Sequence, residues 1–266
     1  MLASQRQAVI LDQVQRHGAV RVSDLVAELG VSDMTVRRDI AVLAERGLVE
    51  KVHGGATAPQ DRSVDEPGFE AKRVREQREK EAIAVTAATL VRPGMAIGLS
   101  AGTTTWTLAH RLGDVPGLTV VTNSMLIADV VLAADGPDQT VVLTGGIRTP
   151  SDALVGPVAV QALRTLHLDL VFLGVHGMDE AAGFTTPNLM ECETNRALAA
   201  AGRRLVITAD HTKWGVVGLS TIVPLDEADV LVTDAGLSPA AVRTLESHVE
   251  SVVLAPLDPP AVRSVT

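Results

Sequence analysis

The sequence predicts an α/β protein in which a small N-terminal winged helix-turn-helix domain precedes a mostly parallel α/β domain. Residues 1–57 hold three short amphipathic helical segments followed by a Gly-Gly hairpin. From residue 95 onward, runs rich in Val, Leu and Ile alternate with helical stretches, as is typical of parallel sheets. Residues 58–75 are rich in charges and turn-forming residues. We therefore expect domains at residues 1–57 and 76–266, joined by a linker at 58–75.

The first two helices are predicted from their apolar spacing and from the residues that bound them. The first covers residues 4–17 and ends at Gly18, and the second covers residues 24–29 with Ser23 as its cap. Gly30 then supplies a tight turn. This succession predicts the first half of a helix-turn-helix unit.

The third helix carries the clearest functional signal. Ser32 can cap its free amides, and Val36, Ile40 and Leu43 form one apolar stripe. The polar side chains that lie off this stripe are Thr35, Arg37 and Arg38. In a helix-turn-helix unit the second helix enters the major groove, so we expect these side chains to contact operator DNA. A solvated face is the alternative, but the succession of cap, turn, paired arginines and hairpin favours DNA binding.

A small β wing is expected after the third helix. Residues 48–52 and Ala56 can form its strands, with Gly54 and Gly55 where positive φ is favoured. His53, at the tip, either touches a phosphate or the minor groove or makes no contact, and both alternatives stay open. The predicted DNA contacts are Ser32, Thr35, Arg37, Arg38, His53 and Gly54.

The net charge of −9 is distributed unevenly along the chain. Residues 1–80 carry 13 basic and 13 acidic side chains, whereas residues 81–266 carry 10 basic and 19 acidic ones. Affinity for DNA grows with the number of cationic contacts to phosphate, so one neutral module should bind weakly. We therefore expect a homo-oligomer, a dimer or higher, that places two modules on paired half-sites.

The α/β domain is predicted from seven buried runs and the helical stretches between them. The predicted strands lie at residues 95–99, 118–121, 140–143, 168–173, 204–208, 230–232 and 252–254. The predicted helices include residues 104–111, 125–134, 158–165, 191–203 and 239–248. In such sheets, ligands gather at the carboxyl ends of the strands.

Polar and glycine-rich segments follow these strands at residues 100–105, 122–124 and 144–146. A helix that begins near Thr103 would offer free amides to an anion such as a phosphate, although these residue types are also ordinary in turns. Lys213, after a later strand, is the natural counter-charge for a phosphate, and pairing with Asp210 is its structural alternative.

Several site types are not expected. The glycine-rich segments match neither a P-loop nor a G-x-G-x-x-G loop, so no cofactor is expected. His176 and His211 lack Cys or His partners at metal-binding spacing, and the single Cys192 excludes a disulfide within the chain. No apolar run reaches the roughly 18 residues of a membrane span, and a signal peptide is not evident. We expect a cytoplasmic protein with no membrane partner.

The sequence resembles the DeoR family of bacterial transcriptional regulators over residues 4 to about 235. The N-terminal part of the resemblance lies in Ile10-Leu11, Val22-Ser23-Asp24-Leu25, Val31-Ser32, Thr35-Val36-Arg37-Arg38-Asp39-Ile40, Gly47-Leu48 and His53-Gly54-Gly55-Ala56. The C-terminal part lies in Lys80, Ile83-Ala84, Gly102-Thr103-Thr104, residues 119–124, Gly145-Gly146, residues 183–186, Glu191 and residues 210–215.

The resemblance implies a sensor domain with a fold like that of ribose-5-phosphate isomerase and glucosamine-6-phosphate deaminase, and a phosphorylated sugar as effector. Carried over by position, the effector contacts are Ser100, Gly102, Thr103, Thr104, Asn123, Gly145, Glu191 and Lys213. One position departs from the family, because His176 stands where many relatives carry Asp. How the sugar hydroxyls are held therefore stays open.

Two functions are compatible with these residues. The first is a repressor of sugar-metabolism genes whose DNA binding is controlled by a phosphorylated sugar, and an activator is not distinguished from it by sequence. The second is a sugar-phosphate isomerase or deaminase that carries a DNA-binding module, with Glu191, Glu193 or Asp179 as its base. We favour the regulator and assign no catalytic residue.

Overall fold

The computed structural model describes residues 2–45, 48–52, 54–57, 68–134 and 136–257. The chain divides into two compact units. The first comprises Met1–Arg62 with Glu70–Lys72, and the second comprises Ser63–Phe69 with Arg73–Thr266. Among the described residues, every helix is too short or too polar to cross a bilayer.

The first unit is a winged helix-turn-helix fold. Its elements are α1 (Ala3–His17), β1 (Ala19–Arg21), α2 (Val22–Leu29), α3 (Asp33–Glu45), β2 (Glu50–Val52) and β3 (Gly55–Thr57). The strands form an antiparallel sheet in the order β1-β3-β2. The three helices and the wing confirm the sequence prediction. The strand β1 was not predicted, because three residues are too few to show an alternating pattern.

A small apolar core and one buried carboxylate hold the first unit together. The predicted stripe of Val36, Ile40 and Leu43 is at most 2% exposed. Beside it, Asp39 is 4% exposed and accepts hydrogen bonds from Arg6 Nε at 2.7 Å and Gln7 Nε2 at 3.3 Å. A buried charge is stable only when it is paired, so Asp39 fastens α1 to α3.

The two predicted helix caps have different outcomes. Ser32 Oγ accepts a hydrogen bond from the Thr35 amide at 3.3 Å at the start of α3, as predicted. Ser23 lies inside α2 instead of capping it, and its hydroxyl donates to Asp24 Oδ1 at 3.0 Å. The prediction for Ser23 was wrong because α2 begins at Val22, where that apolar side chain joins the core.

The segment predicted as a linker, residues 58–75, contains an ordered helix, α4 (Phe69–Arg73). Residues 58–67 lie outside the described residues. Ala71 is buried in the core of the first unit. Phe69, in the second unit, is 5% exposed and packs edge-on against Trp106, with the ring centroids 5.9 Å apart. The burial of these two apolar residues was not predicted, because charged residues surround them in the sequence.

The second unit is built on a seven-stranded sheet in which every neighbouring pair of strands is parallel. Its first half contains α5 (Gln77–Ala88), β4 (Ala96–Leu99), α6 (Thr103–Ala109), β5 (Thr119–Thr122), α7 (Met125–Ala133), β6 (Thr140–Leu143), β7 (Ile147–Arg148), β8 (Leu154–Val155) and α8 (Pro157–Leu163). Its second half contains β9 (Leu170–Gly174), β10 (Gly177–Asp179), β11 (Gly183–Thr186), α9 (Leu189–Ala201), β12 (Leu205–Thr208), β13 (Ser220–Val223), β14 (Val230–Asp234), α10 (Pro239–His248) and β15 (Ser251–Ala255).

The strand order of the large sheet is β15-β14-β12-β9-β4-β5-β6. Each of the seven predicted runs corresponds to one of these strands. Successive side chains of β9 point to opposite faces. Leu170 and Phe172 pack with α5, α6 and α7, whereas Val171 and Leu173 pack with α8, α9 and α10. Apolar layers on both faces explain why the run of β9 is continuously apolar. The edge strand β6 differs, because Thr140, Val142 and Leu143 are exposed, so the prediction that all seven runs are buried is wrong for it.

Two smaller sheets were not predicted. The strands β7 and β8 form an antiparallel hairpin, and β10, β11 and β13 form an antiparallel sheet. All four residues of β11 are buried although two of them are threonines. Such a strand shows neither a continuous apolar run nor an alternation, so its sequence resembles a loop.

Candidate functional site

The first turn of α3 is held by hydrogen bonds among its own side chains. Ser32 Oγ lies 2.8 Å from Thr35 Oγ1 and also accepts from the Thr35 amide. Ser32 therefore has a structural role as the cap of α3, whether or not DNA is bound. Thr35 is half-buried, and its hydroxyl group can form a further hydrogen bond beside this cap.

The two arginines of α3 are both exposed but have different surroundings. Arg37 Nε donates to Asp33 Oδ1 at 2.5 Å, and Arg37 Nη2 donates to Asp33 Oδ2 at 3.2 Å. This hydrogen bond and the charge of Asp33 raise the pKa of the Arg37 guanidinium. Among the described residues, Arg38 has no such partner. Arg38 is thus available for a phosphate or a base edge. Arg37 would have to break its ion pair with Asp33 before it could contact DNA.

The turn of the wing requires both of its glycines, for different reasons. Gly54 has a φ of +83°, as predicted. Gly55 does not have the predicted positive φ. A Cβ atom at Gly55 would lie 2.1 Å from the carbonyl oxygen of Val20 on β1, so a larger residue would separate the strands. The predicted contact His53 lies outside the described residues.

Met34 is a surface residue of α3 that the sequence prediction missed. Its side chain is 75% exposed in the first turn, between Asp33 and Thr35. The signal was present in the sequence, because Met34 does not share the apolar stripe of Val36 and Ile40.

In the second unit, the predicted effector residues Ser100 and Asn123 lie at the carboxyl ends of neighbouring strands. Ser100 is fully buried, and its Oγ accepts from the Gly174 amide at 3.0 Å. Asn123 Oδ1 accepts from the Ala101 amide at 2.7 Å, and its Nδ2 donates to the Leu154 carbonyl at 3.2 Å. Both side chains thus brace the loops around the strand ends.

Three further predicted residues, Gly102, Thr103 and Thr104, lie at the start of α6. Gly102 precedes the helix, and Thr103 and Thr104 are 7% and 8% exposed in its first turn. The first amides of a helix have no partner within the helix and carry a partial positive charge. Thr105 Oγ1 donates to the Ser100 carbonyl at 2.7 Å, which ties this helix start to β4.

The predicted residues Gly145 and Glu191 lie beside the β7–β8 hairpin. Gly145, with a φ of +70°, turns the chain after β6. Glu191 is 8% exposed in the first turn of α9, and its Oε1 accepts from Thr149 Oγ1 at 2.7 Å and from Ser151 Oγ. These hydroxyls lie between β7 and β8, so the hairpin orients the Glu191 carboxylate.

Lys213 and the buried Asp210, which follow β12, both lie close enough to Lys80 to affect its pKa. Lys213 is half-buried in a 3-10 helix, His211–Lys213, that follows β12. Lys80, on α5, is 5% exposed, and its Nζ donates to the Arg75 carbonyl. Burial lowers the pKa of Lys80, Asp210 acts in the opposite direction, Lys213 lowers it as well, and the result is a pKa of about 8. Sequence reasoning quoted Lys80 for the resemblance but did not place it in the site.

The carboxylates beneath this 3-10 helix are almost completely buried. Asp210 is 1% exposed, and its Oδ1 accepts from the Thr212 amide at 3.1 Å. Asp234, at the end of β14, is fully buried, and its Oδ2 lies 2.8 Å from His211 Nδ1. Burial and the nearby carboxylates of Glu79 and Asp210 raise the pKa of Glu76. The site thus combines two cationic amines with oriented carboxylates.

The residues considered as catalytic bases have structural partners. Asp179 Oδ1 accepts from the amides of Ala181 and Ala182 at 2.9 and 3.0 Å, in the turn between β10 and β11. Glu193 is exposed and pairs with Arg196 at 3.0 Å. Glu191 is the buried carboxylate of the three. Within the described ranges, no three His, Cys, Asp or Glu side chains are grouped as metal ligands.

Comparison with known proteins relates both units to one family. Residues 6–62 match the DeoR-like helix-turn-helix domain, and residues 75–235 match the DeoR C-terminal sensor domain. The chain is 37% identical to an uncharacterized HTH-type transcriptional regulator, YgbI, of Escherichia coli K12, over 96% of this chain and 99% of that protein.

Two further relatives have names that describe a regulated operon or regulon. The putative aga operon transcriptional repressor of Escherichia coli O157:H7 is 30% identical, over 94% of this chain and 93% of that protein. The glycerol-3-phosphate regulon repressor of Escherichia coli K12 is 29% identical, over 93% and 97%. Among solved structures, ribose 5-phosphate isomerase A from Neisseria gonorrhoeae is similar with a TM-score of 0.39 and 18% identity, over 56% of this chain and 57% of that one.

Proposed function

Because the chain belongs to the DeoR family of transcriptional regulators, we propose that it represses genes of sugar metabolism and that a phosphorylated sugar controls its binding to operator DNA. The family assigns a DNA-binding regulator. The names of two relatives, a putative aga operon repressor and a glycerol-3-phosphate regulon repressor, support the repressor role and the metabolic context. Operator binding implies action in the cytoplasm.

The observation that carries the effector proposal is the pair Lys80 and Lys213. Burial and Lys213 both disfavour the charged form of Lys80, and Asp210 offsets this only in part, so a dianion bound nearby would stabilise both ammonium groups. A phosphate ester supplies this charge and accepts several hydrogen bonds. The start of α6, at Thr103 and Thr104, offers amides to the same class of ligand.

We assign the following roles to the other residues of the proposed effector site. Glu191, oriented by Thr149 and Ser151, is a fixed acceptor for a sugar hydroxyl. Ser100 and Asn123 keep the surrounding loops in place. Gly102 and Gly145 permit the chain turns at the edge of the site.

Control of DNA binding requires that the effector has different affinities for the DNA-bound and DNA-free states. We assign operator reading to residues 1–57 and effector binding to residues 76–266, with the intervening residues 58–75 joining them. Residues 1–80 have no net charge, so useful affinity requires two copies on paired half-sites. A homo-oligomer provides these copies.

A ligand panel tests the proposal. The purified protein is heated with phosphorylated sugars, with the same sugars lacking the phosphate, and with inorganic phosphate. We expect one phosphorylated sugar to raise the melting temperature and to change the affinity for operator DNA, while the unphosphorylated sugar has no effect. Equal stabilisation by the unphosphorylated sugar would contradict the proposal, because the lysine pair would then not be used.

We assign no turnover to the buried Glu191. Incubation of the protein with ribose 5-phosphate or glucosamine 6-phosphate should leave both compounds unchanged. Isomerisation or deamination that disappears in Glu191→Gln would instead support the enzyme alternative, because Glu191 is the buried carboxylate among the candidate bases.

A further inference from the structure

The exposed side chain of Met34 has no explanation in the folding of the first unit. It is 75% exposed, more than any other large apolar side chain among the described residues. In the same helix, Val36, Ile40 and Leu43 are at most 2% exposed. A single exposed apolar side chain is common on protein surfaces, so the place of Met34 in its helix carries the argument together with its exposure.

The position of Met34 places it where DNA is read. It is the second residue of α3, the second helix of the helix-turn-helix unit. The N-terminal residues of this helix meet base edges in the major groove. The polar neighbours of Met34 are engaged within the turn, because Ser32 bonds Thr35 and Asp33 pairs with Arg37. The first turn therefore presents one apolar side chain next to polar groups that already have partners.

The chemistry of the groove restricts the partner of this side chain. In the major groove, the C5 methyl group of thymine is the apolar feature that distinguishes one base edge from another. A methionine side chain is unbranched and polarisable, so it adapts to such a group. We propose that Met34 contacts a thymine methyl group in each operator half-site and so contributes to the choice of sequence. This inference rests on the proposed function, operator binding.

The test removes only the methyl group from the DNA. An operator is first selected from random duplex DNA by repeated binding to the full-length protein and sequencing. Each thymine of the selected site is then replaced, in both half-sites together, by deoxyuridine, which lacks the C5 methyl group. Dissociation constants are measured by fluorescence anisotropy at fixed salt for the wild type, Met34→Ala and Met34→Leu.

We expect one symmetric pair of thymines at which deoxyuridine weakens wild-type binding about fourfold per half-site, as for the loss of one buried methyl group. Met34→Ala should bind the thymine and deoxyuridine forms equally at that pair. Met34→Leu should keep part of the difference. Met125→Ala, which truncates an exposed methionine of the second unit, should keep all of it.

A measurement at several salt concentrations separates a base contact from a loss of folding. Met34→Ala should keep the wild-type dependence of affinity on salt, because Met34 neutralises no phosphate. An unchanged deoxyuridine effect in Met34→Ala, or no deoxyuridine effect in the wild type, would overturn the inference while operator binding stands. Failure of the wild type to select any sequence would overturn the proposed function and this inference together.

Discussion

The two units of this protein present their functional groups in opposite ways. In the first unit, Arg37, Arg38 and Met34 are exposed on one short helix. In the second, Asp210 and Asp234 are at most 1% exposed and are fixed by hydrogen bonds near strand ends. A DNA groove is large and can be met by side chains on a convex surface. A small anion must be surrounded, which requires buried polar groups with fixed partners.

The difference extends to charge. The arginines of α3 are exposed, so their contacts with phosphate should be screened by salt. Lys80 is buried, and its pKa of about 8 makes its charge depend on pH near neutrality. We therefore expect DNA binding to respond mainly to salt and effector binding to respond mainly to pH. The predictions below test this contrast, starting with the largest effect.

The largest effect is expected from Arg37→Ala combined with Arg38→Ala. Each good contact to a base or phosphate contributes on the order of 1–3 kcal/mol, so the loss in two half-sites should weaken specific DNA binding roughly 100-fold or more. Stabilisation by the sugar phosphate should persist. Anisotropy with the selected operator and thermal melting measure the two properties. If the double variant still binds the operator at moderate salt, α3 is not the reading helix.

The reciprocal change is Lys213→Ala, in the second unit. Loss of one charge-assisted contact should weaken sugar-phosphate binding at least about tenfold, while DNA affinity without effector stays constant. Calorimetric titration measures the first property and anisotropy the second. Arg203→Ala is the matched control, because exposed Arg203 precedes β12 whereas Lys213 follows it. An equal loss in both variants would show a general effect of charge.

The pH dependence of effector binding should follow Lys80. Its pKa of about 8 means that the ammonium form is abundant at pH 7 and scarce at pH 9. The phosphate ester is a dianion throughout this interval. Affinity should therefore fall about tenfold between pH 7 and 9. Lys80→Met should bind more weakly at pH 7 and lose most of this pH dependence. A wild-type affinity that is constant over this interval would exclude Lys80 from the site.

The smallest effect is expected when alanine replaces either of two glycines that have similar backbone conformations. Gly54 in the wing and Gly94 in the second unit have φ values of +83° and +77°, and an added Cβ atom would meet nothing within 4 Å at either site. Alanine at each position should cost about 1 kcal/mol of unfolding free energy in denaturant titrations. Only Gly54→Ala should also weaken DNA binding, because it strains the wing. Equal effects on DNA affinity would mean that the wing makes no contact.

The elements that were predicted correctly have local patterns. The seven strands of the large sheet are continuous apolar runs, and α3 shows a helical stripe with Ser32 as its cap. The strands β7, β8, β10, β11 and β13 lack such patterns and form only by pairing with other short strands, from the next hairpin strand for β7–β8 and β10–β11 to a segment more than 30 residues away for β11–β13. The burial of Phe69 was not predicted for a similar reason, because it depends on the contact with Trp106.

The candidate sites follow the same division. Arg37, Arg38 and Thr35 could be proposed from sequence alone because α3 is one continuous segment. The residues proposed for the effector site lie far apart in the chain, and the role of each depends on its hydrogen-bond partners. Asn123 bonds an amide 22 residues away, and Ser100 bonds an amide 74 residues away. The sequence identified these side chains as polar groups at strand ends but not as braces of the loops.

The sequence by itself determined the family, the parallel α/β architecture and the helix that is proposed to read DNA. Each of these depends on the spacing of residues within single continuous segments. Only the tertiary structure decided that Lys80 is buried near Asp210 and Lys213, that Asp234 holds His211, and that Phe69 packs against Trp106. The physical reason is that burial and the pKa of a charged group depend on neighbours from other segments of the chain, which spacing along one segment does not reveal.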